Sequence, residues 1–291
     1  MVSVIILNFN SASYTLNCIE SIHRHIPRNL FEIIVVDNNS NDEDKIILRN
    51  ELPSDVVWVE SRFNAGFGLG NMLGYNLAKG DFLCFINSDI LFEEDCISPL
   101  CEYLTNNPDV GCITPLQLDF NHKQVESFRH NPGFRRELFG NSFLEKYFPK
   151  KYPKRMVKGT EPLVTPQVNG CFMMFPADVF KIIGGFDTTI FLYDEECDVG
   201  YKIRKAGKKC VVFPSVAFLH AGATTTRKRK NLTSRERYIS RMYVYRKHHS
   251  WIKAFFYHIL LVLFALFKPK KWYILPVLLR GEALSKSMRS L

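Results

Sequence analysis

The first 120 residues constrain the fold most. Short apolar runs, VSVIILNF (2–9), FEIIVVDN (31–38), DVVWVES (55–61) and DFLCFINSD (81–89), alternate with segments of helical spacing. Those segments are SASYTLNCIESIHRHI (11–26), NDEDKIILRNEL (41–52) and FGLGNMLGYNLAKG (67–80). Ser11 or Ser13 suits the N-cap of the first helix, and the acids at the start of the second suit its dipole. Strands that alternate with helices predict an α/β chain with a mostly parallel central sheet flanked by helices. In such sheets ligands bind at the carboxyl ends of the strands. Asn8, Asp37, Asn64 and Asp89 fall at those ends or just beyond them.

From about 120 to 165 the pattern breaks into a basic, aromatic segment rich in Pro and Gly. A long irregular insert in a compact domain is usually a functional loop. Its aromatics (Phe128, Phe134, Phe139, Phe143 and Tyr147) are suited to stacking on sugars or to folding against the core. Regular structure is expected again over PQVNGCFMMFP (166–176), a strand, over ADVFKIIGGFD, a short helix, and over KCVVFPSVAFLHAG (209–222), a strand ending near His220.

The net charge of +9 is unevenly spread. Residues 227–291 hold 16 Lys and Arg against 2 Asp and Glu, whereas residues 1–226 hold 22 against 27. A basic tail of this kind needs an acidic partner, either nucleic acid or an anionic membrane face. Its uncharged run AFFYHILLVLFALF (254–267) contains His258 and is shorter than the ~20 residues that span a bilayer. Lys253, Lys268, Lys270 and Lys271 flank the run, with Trp251, Trp272 and Tyr273 at its edges. Apolar helices with basic borders and interfacial aromatics lie in the membrane surface; a buried packing helix is the other reading. No basic segment precedes the first strand, so an export signal is not expected. The eight cysteines show no CxxC pair and are expected as reduced thiols in a cytoplasmic protein.

Three motifs carry chemistry. NAGFGLGN (64–71) has the Gly66-x-Gly68 pair of a dinucleotide fingerprint, but Asn71 stands at its third position. A tight turn beside a phosphate or sugar fits it better. INSD (86–89) sets Asp89 past a buried strand, where a carboxylate either caps a helix or holds a divalent cation. LYDEECDVGYKIRKAG (192–207) crowds Asp194, Glu195, Glu196 and Asp198 together. It reads as a solvated acidic first turn, or as a site in which neighbouring carboxylates raise one another's proton affinity, as suits a base. With the helix starting near Asp194, Asp194 and Asp198 are i,i+4 neighbours and Glu196 points elsewhere.

In this order, VIILNFN, VVDNNSND, NAGFGLGN, FLCFINSD, VNGCFMMFP, GGFDTTIFLYDEECDVGYKIRKAG and FLH together resemble the family 2 glycosyltransferases. More narrowly, the chain is similar to the rhamnosyltransferase-like branch. The resemblance covers about residues 1–226 and implies a GT-A fold. It also implies metal-dependent, inverting transfer of a sugar from a nucleoside diphosphate to an acceptor hydroxyl. By the same resemblance, Asn8 and Asn10 line the nucleotide pocket and Asp37 bonds the base. Asn64, Gly66 and Asn71 border nucleotide and sugar, and Asn87, Ser88 and Asp89 form the donor motif. Asp89 and His220 are the implied ligands of Mn2+ or Mg2+, with Asn87 where relatives carry the first acid. The base falls on Glu196, where relatives carry Asp, with Glu195 as its substitute. Tyr193, Asp198 and Arg204 match residues that serve the acceptor or placement.

The expectation is therefore a catalytic domain (1–226) and a basic amphipathic tail (227–291), peripheral on the inner face of the cell membrane. A dTDP- or UDP-sugar donor and a glycan or lipid-linked acceptor are expected, in cell-surface polysaccharide synthesis; an oligomer is compatible with this. A nucleotidyltransferase would need a basic phosphate loop after the first strand, and NFNSASYTLN has no Lys or Arg. A nucleic-acid binder would use the basic tail, but the acidic core and the apolar run oppose it. A catalytically inactive relative is the third alternative, given Asn87 and Glu196.

Overall fold

The computed structural model describes residues 1–222, 230–280 and 287–290. Nine strands form one sheet: β1 (Val2–Asn8), β2 (Phe31–Asp37), β3 (Val56–Glu60), β4 (Phe82–Asn87), β5 (Ile90–Leu91), β6 (Val110–Leu118), β7 (Leu163–Thr165), β8 (Phe172–Pro176) and β9 (Lys209–His220). Their order is β3-β2-β1-β4-β8-β6-β9-β5, with β7 also paired to β9. The parallel arrangement read from the sequence holds for β3-β2-β1-β4 and for β6 with β9. Between these blocks β8 runs antiparallel to both β4 and β6. The short β5 and β7 are antiparallel to β9.

The helices are α1 (Ala12–His25), α2 (Asp42–Glu51), α3 (Gly66–Tyr75), α4 (Ile97–Asn106), α5 (Phe134–Tyr147), α6 (Ala177–Ile182), α7 (Glu195–Lys205), α8 (Lys230–His248), α9 (Trp251–Leu266) and α10 (Leu275–Leu279). Alternation along the central strands splits the core into two layers. Val4, Ile6, Ile33 and Val35 pack with Ile19 and Ile22 of α1, whereas Ile5, Ile34, Val36 and Phe85 pack with Phe180 and Phe186. Each such buried side chain contributes about 1.5–3 kcal/mol.

Ser11 does hold the N-cap position of α1, but its side chain caps nothing. The Ala12 amide instead donates to Asp44 of α2 at 2.7 Å. The helix expected over 67–80 ends at Tyr75, and the strand expected from 166 begins only at Phe172. The insert is not irregular throughout, because it contains α5, broken at Gly140 (φ 73°). The break hid the helix from a periodicity reading. The tail packs into a small helical cluster in which Tyr245 of α8, Tyr257 and Leu261 of α9 and Leu278 of α10 are buried. The boundary expected at 226–227 lies outside the described residues. No helix among the described residues is long and apolar enough to cross a membrane.

Candidate active site

At the ends of β1 and β2 the polar residues bond one another. The Asn8 amide nitrogen lies 2.7 Å from Asp44 Oδ2, 3.0 Å from Ser40 Oγ and 3.1 Å from Asp37 Oδ1. Its oxygen accepts from the Ser11 and Thr15 hydroxyls at 3.0 and 2.8 Å. Asp37 also accepts from the Ser40 amide at 3.2 Å, with Lys45 Nζ 4.0 Å away. Asn8 and Asp37 are both sealed from solvent. Exposed Asn10 lies above them at φ 52°, a conformation that Asn adopts at little cost. Its oxygen accepts from the Asn41 amide at 2.8 Å. Ser88 reaches this cluster through the Ser11 hydroxyl, at 3.0 Å.

The NAGFGLGN glycines are packing residues. A Cβ on Gly70 would lie 2.6 Å from Leu7, and one on Gly74 would lie 2.6 Å from Ile5, so α3 rides directly on the sheet. Gly66 has φ +76°, and a Cβ there would stand 2.1 Å from the Phe191 carbonyl oxygen. The same oxygen accepts from the Phe67 amide at 2.8 Å. Asn38, which the sequence reading missed, shapes the turn: its amide donates to Asn64 Oδ1 and to the Gly66 carbonyl, both at 3.1 Å, and accepts from the Ala65 amide at 2.8 Å. Asn71 is buried; it donates to the Phe67 carbonyl at 3.0 Å, and its oxygen has no partner among the described residues.

Beyond β4, the two-residue strand β5 sets Ile90 opposite His220 at the end of β9. This register brings Asp89 Oδ1 within 3.1 Å of His220 Nε2, with the Asn87 amide 3.4 Å from the same nitrogen. On the ring's other side Gln117 lies 2.9 Å from Nδ1, and Asn169 donates to the Gln117 oxygen at 3.0 Å. Burial disfavours the charged ring, but Cys171 and Asp89 outweigh it and raise the His220 pKa to about 10. Among the described residues no three His, Cys, Asp or Glu side chains converge on a metal position. The groups that could turn to a cation are the Asp89 carboxylate, the His220 imidazole once it has lost its proton, and the Asn87 side-chain oxygen. Such a set fits a hard divalent cation whose other positions go to phosphate oxygens and water.

The acids of α7 separate as i,i+4 geometry requires. Tyr193 and Asp194 both adopt left-handed backbone, at φ 73° and 64°. For non-glycine residues this costs on the order of 1 kcal/mol each. Helix α8 holds the turn: Arg237 stacks over the Tyr193 ring at 4.5 Å, Arg241 Nε lies 3.5 Å from Asp194 and the Ser240 hydroxyl donates to the Leu192 carbonyl at 2.8 Å. Glu195 is buried, and its Oε1 has no donor among the described residues. Burial first, then the Glu196 charge, pushes its proton affinity well above the carboxylate range. Glu196 keeps part of its surface and lies against Gly170, whose added Cβ would meet Oε2 at 3.7 Å. Burial and then Asp194 raise its proton affinity, while Arg129 and Arg237 pull it back.

Asp198 faces away, fully buried under α8. It accepts from His248 Nε2 and Lys247 Nζ, both at 2.7 Å, and pairs with Lys202 at 3.1 Å. The structure does not bring Arg204 to the site: it is exposed further along α7, bonding the Pro166 carbonyl and stacking on Tyr201 at 4.8 Å.

The loop Asn169–Gly170–Cys171 joins the two corners. Gly170 touches Glu196, Asn169 bonds the Gln117 that holds His220, and the Cys171 carbonyl accepts from the Asn87 amide at 2.9 Å. Such an arrangement ties a carboxylate of raised proton affinity to the Asp89–His220 corner through one short loop.

Known proteins share this architecture. A structure of GalNAc-T7 with UDP, GalNAc and Mn2+ matches with a TM-score of 0.59 at 20% identity, over 76% of this chain and 43% of that one. The mannosyltransferase PcManGT from Pyrobaculum calidifontis, in complex with GDP-Man and Mn2+, matches with a TM-score of 0.58 at 16% identity, over 98% and 86%. These likenesses carry the fold, GT-A. In sequence, the zebra finch (Taeniopygia guttata) polypeptide N-acetylgalactosaminyltransferase 3 is 27% identical over 225 residues, 73% of this chain and 36% of the relative. The N-acetylglucosaminyl-diphospho-decaprenol L-rhamnosyltransferase of Mycobacterium tuberculosis is 25% identical over 210 residues, 67% of each chain. The chain thus spans about a third of the first relative's length. The family model for Glycosyl transferase family 2 matches residues 3–183, from the first strand through α6, and the chain belongs to that family.

Proposed function

We propose that this protein transfers a sugar from a nucleoside-diphosphate sugar to an acceptor hydroxyl with inversion, and that Glu196 is the base. One observation carries this reading: Glu196, of raised proton affinity, shares the 169–171 loop with the Asp89–His220 corner. An inverting transfer needs a base within reach of the acceptor hydroxyl and stabilisation of leaving-group charge on the other side. Glu196 would take the hydroxyl proton, while Glu195, held neutral by burial, adds no second charge beside it. Asp89, His220 and the Asn87 amide would hold Mn2+ or Mg2+, which when bound neutralises charge on the departing diphosphate. Asn10, Asn64 and Ser88 would edge the nucleotide over the Asn8–Asp37 cluster.

The donor we favour is a dTDP- or UDP-sugar, with rhamnose the first sugar to test, given the mycobacterial relative's printed activity. A lipid-linked glycan acceptor in cell-surface polysaccharide synthesis fits two features. The charges of Arg129, in the insert, and Arg237, in α8, both act on Glu196 and would favour a phosphate-bearing acceptor. Helix α9 turns Phe255, Phe256, Ile259, Leu263 and Leu266 outward, which suits an anionic membrane surface on the cytoplasmic side. The test is a thermal-shift panel of UDP-, dTDP- and GDP-sugars with and without Mn2+. The expected result is a metal-dependent rise in Tm with one nucleotide class. No shift with any donor would sink the reading.

A further inference from the structure

The exposed apolar surface of the tail has a counterpart in the insert. On α5, Leu138, Phe139, Phe143 and Tyr147 are 54%, 55%, 43% and 57% exposed, and Phe148 follows at 51%. The inner face of α5 is supplied by other residues: Leu144 is fully buried and the Phe134 ring packs on Tyr257 of α9 at 5.7 Å. The outer aromatics therefore serve no core. They stack on one another instead, Phe139 on Phe143 at 5.4 Å and Phe143 on Tyr147 at 4.6 Å. An aromatic side chain carries about 150–250 Å², so half of the four aromatics alone exposes on the order of 400 Å². A patch of that size on a soluble surface marks an interaction site.

The charge beside it identifies the partner. Lys146, Lys150, Lys151 and Lys154 are all exposed at the end of α5 and just after it. The nearby acids are already engaged: Glu145 pairs with His130 and Arg155, and Glu137 with Arg136. Aromatics interleaved with lysines fit the interface of an anionic bilayer. The helix that carries the patch is also tied to the tail. The Tyr257 hydroxyl donates to Glu137 Oε1 at 3.0 Å, so the first turn of α5 is fastened to the middle of α9.

We propose that the outer face of α5, with its four lysines, is a second membrane contact, so that the protein sits on anionic lipid through α5 and α9 together. This rests on reading α9 as membrane-facing, and the experiment separates the two. Full-length protein is co-sedimented with vesicles of phosphatidylglycerol and phosphatidylcholine. Three variants are compared with the parent: Phe139→Ser/Phe143→Ser/Tyr147→Ser, Lys146→Glu/Lys150→Glu/Lys151→Glu, and Phe255→Ser/Phe256→Ser on α9. Both α5 variants are expected to lose about tenfold or more in vesicle affinity, with Tm and the donor-induced thermal shift unchanged. The lysine variant alters exposed side chains only and keeps the test decisive if the aromatic variant folds poorly. Parent-like binding by the α5 variants with loss in the α9 variant overturns the α5 contact and leaves the tail reading standing. Parent-like binding by all three overturns both. A parent dimer in light scattering that the α5 changes abolish, with vesicle binding intact, assigns the patch to a second copy and overturns the proposal.

Discussion

Two buried polar regions of this molecule are built on opposite plans. Around Asn8 each polar atom of the amide has partners, and Asp37 accepts from both Asn8 and the Ser40 backbone. At the start of α7 a carboxylate oxygen of Glu195 has no donor among the described residues, and two residues carry left-handed backbone. Buried polar groups are normally satisfied, so the first region is scaffold. The second holds unused bonding capacity and strain, which the surrounding structure must support and which cluster where function lies. A satisfied carboxylate sets geometry; an unsatisfied one is available for chemistry.

The strongest way to break this contrast is Glu196→Gln. Turnover should fall by about 10²–10⁴-fold, with donor affinity and Tm held. Glu195→Gln, at a carboxyl whose proton affinity burial raises, should leave turnover near that of the parent. If the two variants exchange these outcomes in a steady-state assay, the base is Glu195.

The opposite profile is expected for Asn8→Ala. It strands several buried partners and should cost about 1–3 kcal/mol in urea unfolding. Any loss of turnover should follow the loss of folded protein. A variant as stable as the parent would mean that the cluster is not scaffold.

The mildest probe is pH. Asp187 and Asp198 fasten α8 over the strained turn. Burial raises their proton affinity, but the Lys247 bond to Asp187 and the His248 bond to Asp198 outweigh it, with Thr189, Tyr243 and Lys202 adding to the effect, so both pKa values lie below the ordinary range. A depressed carboxylate pKa contributes stability that is complete above the unfolded value of about 3.9 and is lost as pH falls through the folded one. Protection of the α8 amides, corrected for the intrinsic pH dependence of exchange, should therefore be flat above about pH 5 and fall below it, sooner than that of β1 and β4. A simultaneous fall would show that α8 is not a separately released element.

The sequence made β1 to β4 and the acids of α7 legible, because their signals are local: apolar runs, turn residues and crowded charge. The amide relay from Asn169 through Gln117 to His220 was not, since the three lie far apart in the chain and Gln117, which links the other two, belongs to no motif. The antiparallel β8 was missed because an apolar run carries no sign of its direction. The glycines of NAGFGLGN read as a tight turn, with no sign in the sequence that Gly66 and Gly68 also meet the Phe191 and Asp187 carbonyls while Gly70, with Gly74 beyond the motif, lets α3 approach Leu7 and Ile5. Asp198 and Arg204 matched a motif, yet one anchors α8 and the other ties α7 to Pro166.

The contact between Gly66 and the Phe191 carbonyl bears on how such a protein can be re-engineered. With no room for even a methyl group there, the 64–68 turn and the chain leading into α7 form one interlocking piece. A chimaera that imports a relative's first half must import that relative's counterpart of 186–194 as well, or Glu196 will be misplaced. Domain exchange is better cut elsewhere, at the exposed, broken α5, where Gly140 has open space around it.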